Sequence, residues 1–190
     1  MKGKTLFIAI STQKGGAGKT ALTVLLSSYL HYSRGYNVAV VDCDYPQYSI
    51  NGMRLRDKQS VTEDPYYKSL FYKQCKSLNK KAYPIEVSRI PEAIETAERI
   101  IKDSEVPLDF IFFDLPGTMN AKGVLSTLAQ MDHIFTPITA DRMVLESSLE
   151  YAGLINEQII TTGKGNIKSL YLLWNIVDGR ENNHLYGVYE

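Results

Sequence analysis

The sequence predicts an α/β fold, in which a doubly wound, mostly parallel sheet carries helices on both faces. Short apolar runs bounded by turn residues alternate with helix-like stretches, which is the pattern of repeated βαβ units. Two of these runs, Tyr36–Asp42 and Asp109–Asp114, are apolar almost throughout, as strands buried on both faces are. A glycine-rich loop follows the first apolar run, and doubly wound sheets bind ligands at the carboxyl ends of their strands.

The first half of the chain contains two strands and at least one helix. The first strand is expected at Thr5–Ser11, the first helix over residues 21–32, and the next strand at Tyr36–Asp42. Residues 51–81 are polar and rich in Lys and Tyr, and we interpret them as mostly helical surface structure. A solvated helical face accounts for these side chains better than the alternative, a contact surface for a protein or DNA partner.

The second half supplies the remaining strands. Tyr83–Ser88 is a weaker strand candidate before a helix over Pro91–Asp103, whose apolar stripe is expected to be Ile94, Ala97 and Ile101. The later strands are expected at Asp109–Asp114, Ile134–Ile138 and Ser169–Asn175, with a helix over residues 141–161 between the last two. The sheet is therefore predicted to have at least six strands.

Length and composition narrow the class of protein. The 190 residues suit one well-packed domain, so we expect a single domain over 1–190, either naturally short or part of a longer protein. The 21 Lys and Arg balance the 21 Asp and Glu, so the chain as a whole has no electrostatic footprint for nucleic acid or an anionic membrane. The first apolar segment is too short for a signal peptide core or a membrane span, which favours a cytoplasmic protein. Cys43 and Cys75 form no Cys-x-x-Cys pair, which argues against zinc, an iron–sulfur cluster or a disulfide framework.

The glycine-rich loop Gln13–Thr20 lies between a strand and a helix, the order that a phosphate-binding loop requires. Small residues let successive backbone N–H groups turn toward a polyphosphate, and the helix that starts near Lys19 directs its positive dipole end at the same anion. Lys19 is expected to reach the β- and γ-phosphates, and Thr20 to offer its hydroxyl to a magnesium ion. The predicted nucleotide-binding residues of this segment are Lys14, Gly15, Gly16, Ala17, Gly18, Lys19, Thr20 and Ala21.

The loop departs from the strict P-loop pattern, because Gln13 stands where glycine is required and a second lysine, Lys14, follows it. This form resembles the deviant Walker A motif of the ParA/MinD family of ATPases. The resemblance implies ATP and Mg²⁺ as cofactors and an ATP-dependent homodimer, in which Lys14 crosses to the partner's nucleotide as a catalytic group. A solvated loop lysine is the competing interpretation of Lys14.

Three aspartates at predicted strand ends extend this resemblance over most of the chain. Asp114 resembles a Walker B aspartate, which holds magnesium through its water shell. Asp42 and Asp44 resemble the family's Asp-x-Asp-Pro-Gln segment, with Tyr45 inserted before Pro46. The resemblance implies that Asp44 acts on the attacking water and that Asp42 contacts the magnesium shell or the loop. Caps of turns after strands are the structural alternative for these residues.

Two further positions bear on which nucleotide is bound. Asn175 resembles the family asparagine that reads adenine through its amide, which favours ATP over GTP, whereas an asparagine that merely turns the chain is the alternative. The residue after Thr20 is often a second threonine in the family and is Ala21 here. A side-chain contact to the α-phosphate is therefore lost, and nucleotide binding is expected to be weaker rather than absent.

The resemblance as a whole implies a ParA-like ATPase that is slow without a partner and that moves or positions DNA with a centromere-binding or adaptor protein. Nonspecific DNA binding is a further possibility, and the segment around Tyr45 looks most like versions from mobile or conjugative elements. The alternatives are a MinD-like or other cargo-positioning ATPase, a bacterial tyrosine kinase suggested by Tyr186 and Tyr189, and a nucleotide-gated binding module with negligible hydrolysis. A MinD-like protein needs a terminal amphipathic basic helix, and none is evident in these 190 residues.

Overall fold

Six parallel strands form one sheet in the order β3-β2-β4-β1-β5-β6. The structure is a computed structural model, and it describes residues 3–13, 15–119, 121–178, 180 and 186. The strands are β1 Leu6–Ile10, β2 Val38–Asp42, β3 Ile85–Val87, β4 Phe110–Asp114, β5 His133–Ile138 and β6 Ser169–Trp174. The predicted doubly wound α/β fold with at least six strands is confirmed.

Helices connect the strands and cover both faces of the sheet. The α-helices are α1 Lys19–Ser28, α2 Ser49–Glu63, α3 Pro65–Leu78, α4 Ala93–Asp103, α5 Val124–Leu128 and α6 Arg142–Ile155. A 3₁₀ turn, Ile90–Glu92, precedes α4, and π-helical turns, Tyr29–Ser33 and Asn156–Ile160, continue α1 and α6. Among the described residues, no helix is both long enough and apolar enough to cross a lipid bilayer.

The strand residues alternate between two apolar clusters, because successive side chains of a strand point to opposite faces. One cluster joins β-strand residues such as Ala9 and Phe113 to α4, α5 and α6. The other joins Ile8, Val40 and Phe112 to α1 and α2. Burial on both faces explains why the central strands are apolar throughout rather than alternating.

Residues 51–81 are helical, as predicted, and they form the greater part of α2 and all of α3. Asp64 separates the two helices. Its carboxylate accepts a hydrogen bond of 2.7 Å from the backbone N–H of Tyr66, and Pro65 occupies the first helical position of α3. This cap and the N-terminal proline end one helix and start the next within a single residue.

Two details of the helices differ from the prediction. The short helix α5 was not predicted, because five residues are too few for a helical periodicity to be visible in sequence. The predicted stripe of α4 was also wrong at Ile101, which is 37% exposed, whereas Ile100 is only 8% exposed. The buried apolar positions are Ala93, Ala97 and Ile100, which recur every three or four residues and define a face one position away from Ile101.

This pair of neighbours gives a matched test of the core. We expect Ile100→Ala to lower the free energy of unfolding by about 2–4 kcal/mol, since it leaves a cavity against the sheet. The same change at Ile101 should cost less than about 1 kcal/mol, because that side chain is exposed. Urea unfolding of both variants measures the difference, and equal costs at the two positions would contradict the assigned face of α4.

Candidate functional site

The loop between β1 and α1 has the backbone that its glycines allow. Gly16 and Gly18 adopt φ values of +86° and +85°, in the left-handed region that favours glycine. Gly18 directly precedes α1, and a backbone hydrogen bond of 2.9 Å from Leu22 N–H to the Gly18 carbonyl oxygen opens the helix. The amides of Thr20 and Ala21 thus lie in the first turn of α1, where backbone N–H groups can bind an anion.

The predicted nucleotide-binding residues Gly15, Gly16, Ala17 and Gly18 all lie in the loop between β1 and α1, and Ala17 is fully buried. Lys14 lies outside the described residues, so the geometry does not bear on its predicted contact with a partner's nucleotide.

Asn175 meets the loop from the far end of the chain. Its backbone N–H donates to the Ile138 carbonyl oxygen (2.8 Å), which fixes it at the carboxyl end of β6. Its side-chain Nδ2 donates to the Ala17 carbonyl oxygen (2.8 Å), and the amide occupies the space that a Cβ on Gly18 would need. Asn175 therefore packs against the phosphate loop and supports its backbone at Ala17 and Gly18. Its role in reading adenine stays a prediction.

Lys19 is the first residue of α1, and its ammonium group lies against Gly117. A Cβ at Gly117 would come within 2.9 Å of the Lys19 Nζ, so glycine leaves room for the lysine there. Burial lowers the pKa of Lys19, while the negative charges of Asp114 and Asp44 oppose that shift. Both carboxylates thus act on Lys19 electrostatically. No signal in the sequence pointed to this contact between Gly117 and Lys19.

Thr20 and Asp114 are joined directly. The Thr20 hydroxyl donates a hydrogen bond of 2.9 Å to Asp114 Oδ2, while Asp114 Oδ1 is buried with no hydrogen-bond partner among the described residues. Burial raises the pKa of Asp114 to about 7, and the nearby charges of Asp42 and Asp44 add to the increase. A buried carboxylate oxygen without a donor is the kind of group that a hard cation or its water shell satisfies.

Asp42 is fully buried and uses both carboxylate oxygens within the protein. Its Oδ1 accepts from the backbone N–H of Asp44 (3.3 Å) and its Oδ2 from the backbone N–H of Asn51 (3.0 Å). Asp42 lies opposite Asp114 in the parallel register of β2 and β4. Asp42 thus holds the backbone of the segment that follows β2 and the start of α2, while its expected contact to the magnesium shell or the phosphate loop stays a prediction.

Asp44 follows in the loop after β2 and is partly buried. Burial raises the pKa of Asp44, Lys19 opposes this increase, and Asp42 adds to it. The next residues project outward, with Tyr45 68% exposed and the Tyr45–Pro46 peptide bond cis. Between the two aspartates, burial raises the pKa of the Cys43 thiol to about 12, as expected for a thiol in the core.

Two hydroxyl pairs that the sequence did not predict hold Ser11 and Thr12, the residues just before the glycine-rich loop. Ser11 is hydrogen-bonded to the Tyr151 hydroxyl, and Thr12 Oγ1 lies 3.1 Å from Ser148 Oγ. All four residues are buried, and Ser148 and Tyr151 belong to α6. These bonds connect the start of the phosphate loop to a helix more than 130 positions away, a pairing that requires the tertiary structure.

Few side chains at this edge could bind a divalent cation directly. The described part of the chain contains no cluster of three or more His, Cys, Asp or Glu side chains able to hold a metal ion. Mg²⁺, however, commonly takes only one or two protein ligands and completes its shell with water and substrate phosphates. The hydroxyl of Thr20 and the unpartnered oxygen of Asp114 suit that kind of site.

The parallel sheet, with its loop and helix after β1, defines a P-loop NTPase-like α/β fold. Residues 8–189 match the family described as the CobQ/CobB/MinD/ParA nucleotide binding domain, and the chain belongs to that family. It is also similar to the chromosome-partitioning ATPase Soj of Thermus thermophilus. The two are 25% identical over an alignment 191 residues long, which covers 95% of this chain and 73% of Soj.

Solved structures agree on the fold. A putative plasmid partition protein from Borrelia burgdorferi bound to AMPPNP has a TM-score of 0.66 at 18% identity, covering 98% of this chain and 82% of its own. MinD of Aquifex aeolicus has a TM-score of 0.61 at 20% identity, with coverages of 97% and 73%. Cobyrinic acid a,c-diamide synthase of Mycobacterium smegmatis with bound ADP and magnesium has a TM-score of 0.60 at 16% identity, with coverages of 97% and 80%.

The raised pKa of Asp114 predicts a pH dependence of stability. A carboxyl group whose pKa rises on folding from 3.8 to about 7 binds its proton more tightly in the folded state, so folding loses stability as the pH rises through that interval. In Asp114→Asn this loss is absent. The free energy of unfolding of the variant minus that of the wild type should therefore increase between about pH 4 and pH 7.

The comparison is made by urea unfolding at several pH values without nucleotide and with a chelator. Burial also raises the pKa of Asp44 and lowers that of His31, but both groups are present in both proteins and largely cancel in the difference. A difference that stays flat across the interval would show that the carboxyl group of Asp114 keeps an ordinary pKa.

Proposed function

We propose that this protein is a ParA-like ATPase that binds and hydrolyses Mg-ATP at the carboxyl edge of its sheet and dimerises while ATP is bound. The hydrogen bond between Thr20 and Asp114, with one Asp114 oxygen left without a partner beside a glycine loop, is the observation that carries the proposal. On this proposal, residues 1–190 act as one ATPase domain of a cytoplasmic protein.

The loop would receive the phosphates of ATP. The amides of residues 15–21 would supply donors, and the N-terminus of α1 would supply a favourable potential for the anion. Lys19 is partly buried and lies beside Gly117, so its charge would be applied to the β- and γ-phosphates with little reorganisation. The Asn175 amide, braced on Ala17, would select adenine with its remaining donor and acceptor capacity.

The Thr20 hydroxyl and the Asp114 carboxylate would hold Mg²⁺, directly or through water. When bound, the ion neutralises negative charge on the phosphates. Asp42 would act mainly by orientation, since both its oxygens already hold backbone amides of the following loop and of α2. That arrangement fixes the backbone from which Asp44 projects.

Asp44 would position the attacking water. It is partly buried, and it interacts electrostatically with Lys19, which supports a place for Asp44 near the γ-phosphate. The raised pKa of Asp44 also favours proton acceptance during attack. Lys14 of a partner chain would supply a second positive charge to the transition state, which couples hydrolysis to dimerisation and makes an isolated monomer slow.

The cargo is proposed from the relatives. The names of the Soj and Borrelia relatives describe partition of a chromosome and a plasmid, so we propose that this protein partitions or positions plasmid, chromosomal or conjugative-element DNA. A centromere-binding or adaptor protein would stimulate its ATPase activity, and ATP-dependent nonspecific DNA binding would accompany this task.

One set of measurements tests the ATPase cycle: the molar mass in solution with ATP, ADP or no nucleotide, and the rate of phosphate release. We expect the wild type to form a dimer with ATP alone. Lys14→Ala should weaken the dimer and the activity together, because its charge acts across the interface. Asp44→Ala should keep the ATP-dependent dimer and lose turnover by about one hundredfold, since the water is no longer positioned.

Lys164→Ala is a suitable control, because this exposed lysine lies beyond α6 and outside the site. Unchanged turnover in Asp44→Ala would remove Asp44 from the reaction. ATP-dependent dimerisation without measurable turnover in the wild type would favour a nucleotide-gated binding module. A monomer under all three conditions would contradict ATP-dependent dimerisation.

A further inference from the structure

Helix α3 has no buried residue, although it is rich in large apolar and aromatic side chains. It packs on α2, and the two form a helical pair on the α1 side of the sheet. Its most exposed aromatic residues, Tyr66 and Tyr72, are 65% and 66% exposed. The other large apolar side chains of this helix that remain exposed are Tyr67, Leu70, Phe71 and Leu78. A 14-residue helix that buries nothing is unusual, because helices in proteins are stabilised mainly by packing an apolar face.

A groove of about 790 Å³ separates α3 from α1 and the β3 side of the sheet. We call it the α2–α3 groove. Its lining is largely apolar and includes Val24, Ile50, Met53, Val61, Leu70 and Phe71. Its size is within the range of ligand pockets, and one open side makes it accessible to a segment of another protein.

The walls of the groove are held in place by contacts that do not involve an occupant. Arg54 Nη1 donates to the Tyr83 carbonyl oxygen (2.8 Å), and its guanidinium lies 4.8 Å from the centre of the Tyr83 ring. After α3, Lys80 Nζ donates to the carbonyl oxygens of Gly35 (2.6 Å) and Tyr36 (2.8 Å). The groove is therefore formed in advance, which lowers the entropic cost of binding.

The charge of this region differs from that of the chain. Residues 51–81 contain eight Lys and Arg and three Asp and Glu, a net charge of +5, whereas the whole chain has a formal charge of zero. Within the described residues, the α3 lysines Lys68, Lys73 and Lys76 have no ion-pair partner. At roughly 100° per residue, Lys68 and Lys73 fall on opposite sides of the stripe that lines the groove. The charged residues of the lining are Arg54, Lys58 and Asp57, and together with Lys68 and Lys73 beside the stripe they give the groove a rim that is basic on balance.

We propose that the α2–α3 groove docks an acidic amphipathic helix of a protein partner. The apolar face of such a helix fills the groove, and its Asp and Glu residues lie against the lysines of the rim, as in other helix-in-groove interfaces. A nucleic acid would use the lysines but not the recessed apolar lining, so the groove favours a protein. This inference does not rest on the proposed ATPase activity, and its test requires no nucleotide.

The probe is a designed, fluorescently labelled helical peptide of about 18 residues, with leucines at i, i+3, i+4 and i+7 and glutamates elsewhere. Its binding to the full chain is followed by fluorescence anisotropy. We expect binding that weakens with added salt and that drops at least about tenfold in Leu70→Gln/Phe71→Gln and in Lys68→Glu/Lys73→Glu. These positions are exposed, so circular dichroism should show that the variants stay folded.

Matched controls lie on the other face of the sheet. Met143→Gln replaces an exposed apolar residue of α6, and Lys164→Glu reverses an exposed charge, and neither should alter binding. A peptide of the same composition with scrambled leucines should bind at least about tenfold more weakly.

Three outcomes would overturn the proposal. The first is no binding of the peptide to the wild type. The second is that Leu70→Gln/Phe71→Gln binds the peptide as tightly as the wild type does, or that the wild type binds the scrambled peptide as tightly as the designed one. The third is a duplex DNA that binds in place of the peptide and responds to the lysine variant but not to Leu70→Gln/Phe71→Gln, which would assign the surface to nucleic acid.

Discussion

The structure depends on the burial of two carboxylates side by side. The parallel register of β2 and β4 places Asp42 opposite Asp114 at the carboxyl edge of the sheet, and both residues are fully buried. Burying such groups is costly unless hydrogen bonds or counter-charges satisfy them. Asp42 accepts hydrogen bonds from backbone N–H groups of the next loop and of α2, and Asp114 accepts one from the Thr20 hydroxyl of α1. The same requirement thus fixes the elements that surround the phosphate loop.

The hydrogen bonding of these two carboxylates is incomplete. Among the described residues, Asp114 Oδ1 has no hydrogen-bond donor, and burial raises the pKa of Asp114 to about 7, so a cation bound there would stabilise this carboxylate. Burial lowers the pKa of the nearby Lys19, and the negative charges of Asp114 and Asp44 oppose that shift. Such preorganised charge is most effective where water is scarce, as it is at the buried end of a parallel sheet.

Much of this arrangement could be predicted from the sequence, because strand ends and a glycine loop have a fixed relation in a parallel sheet. The positions of Thr20, Asp42 and Asp114 follow from that relation. The contact of Asn175 with Ala17 and the space that Gly117 leaves for Lys19 depend on tertiary packing and have no local signal. The same holds for the α2–α3 groove, since the sequence predicts the helices but not how far they stand from the sheet.

The most direct test of the site is the affinity for ATP with Mg²⁺ and with a chelator, measured by calorimetry for the wild type and for Asp114→Asn. We expect Mg²⁺ to strengthen ATP binding to the wild type by about tenfold or more and to have little effect on the variant. The two proteins should bind ATP similarly without the metal. Equal binding by the wild type with and without Mg²⁺, or the full magnesium effect in Asp114→Asn, would contradict the assignment of this edge as a magnesium–nucleotide site.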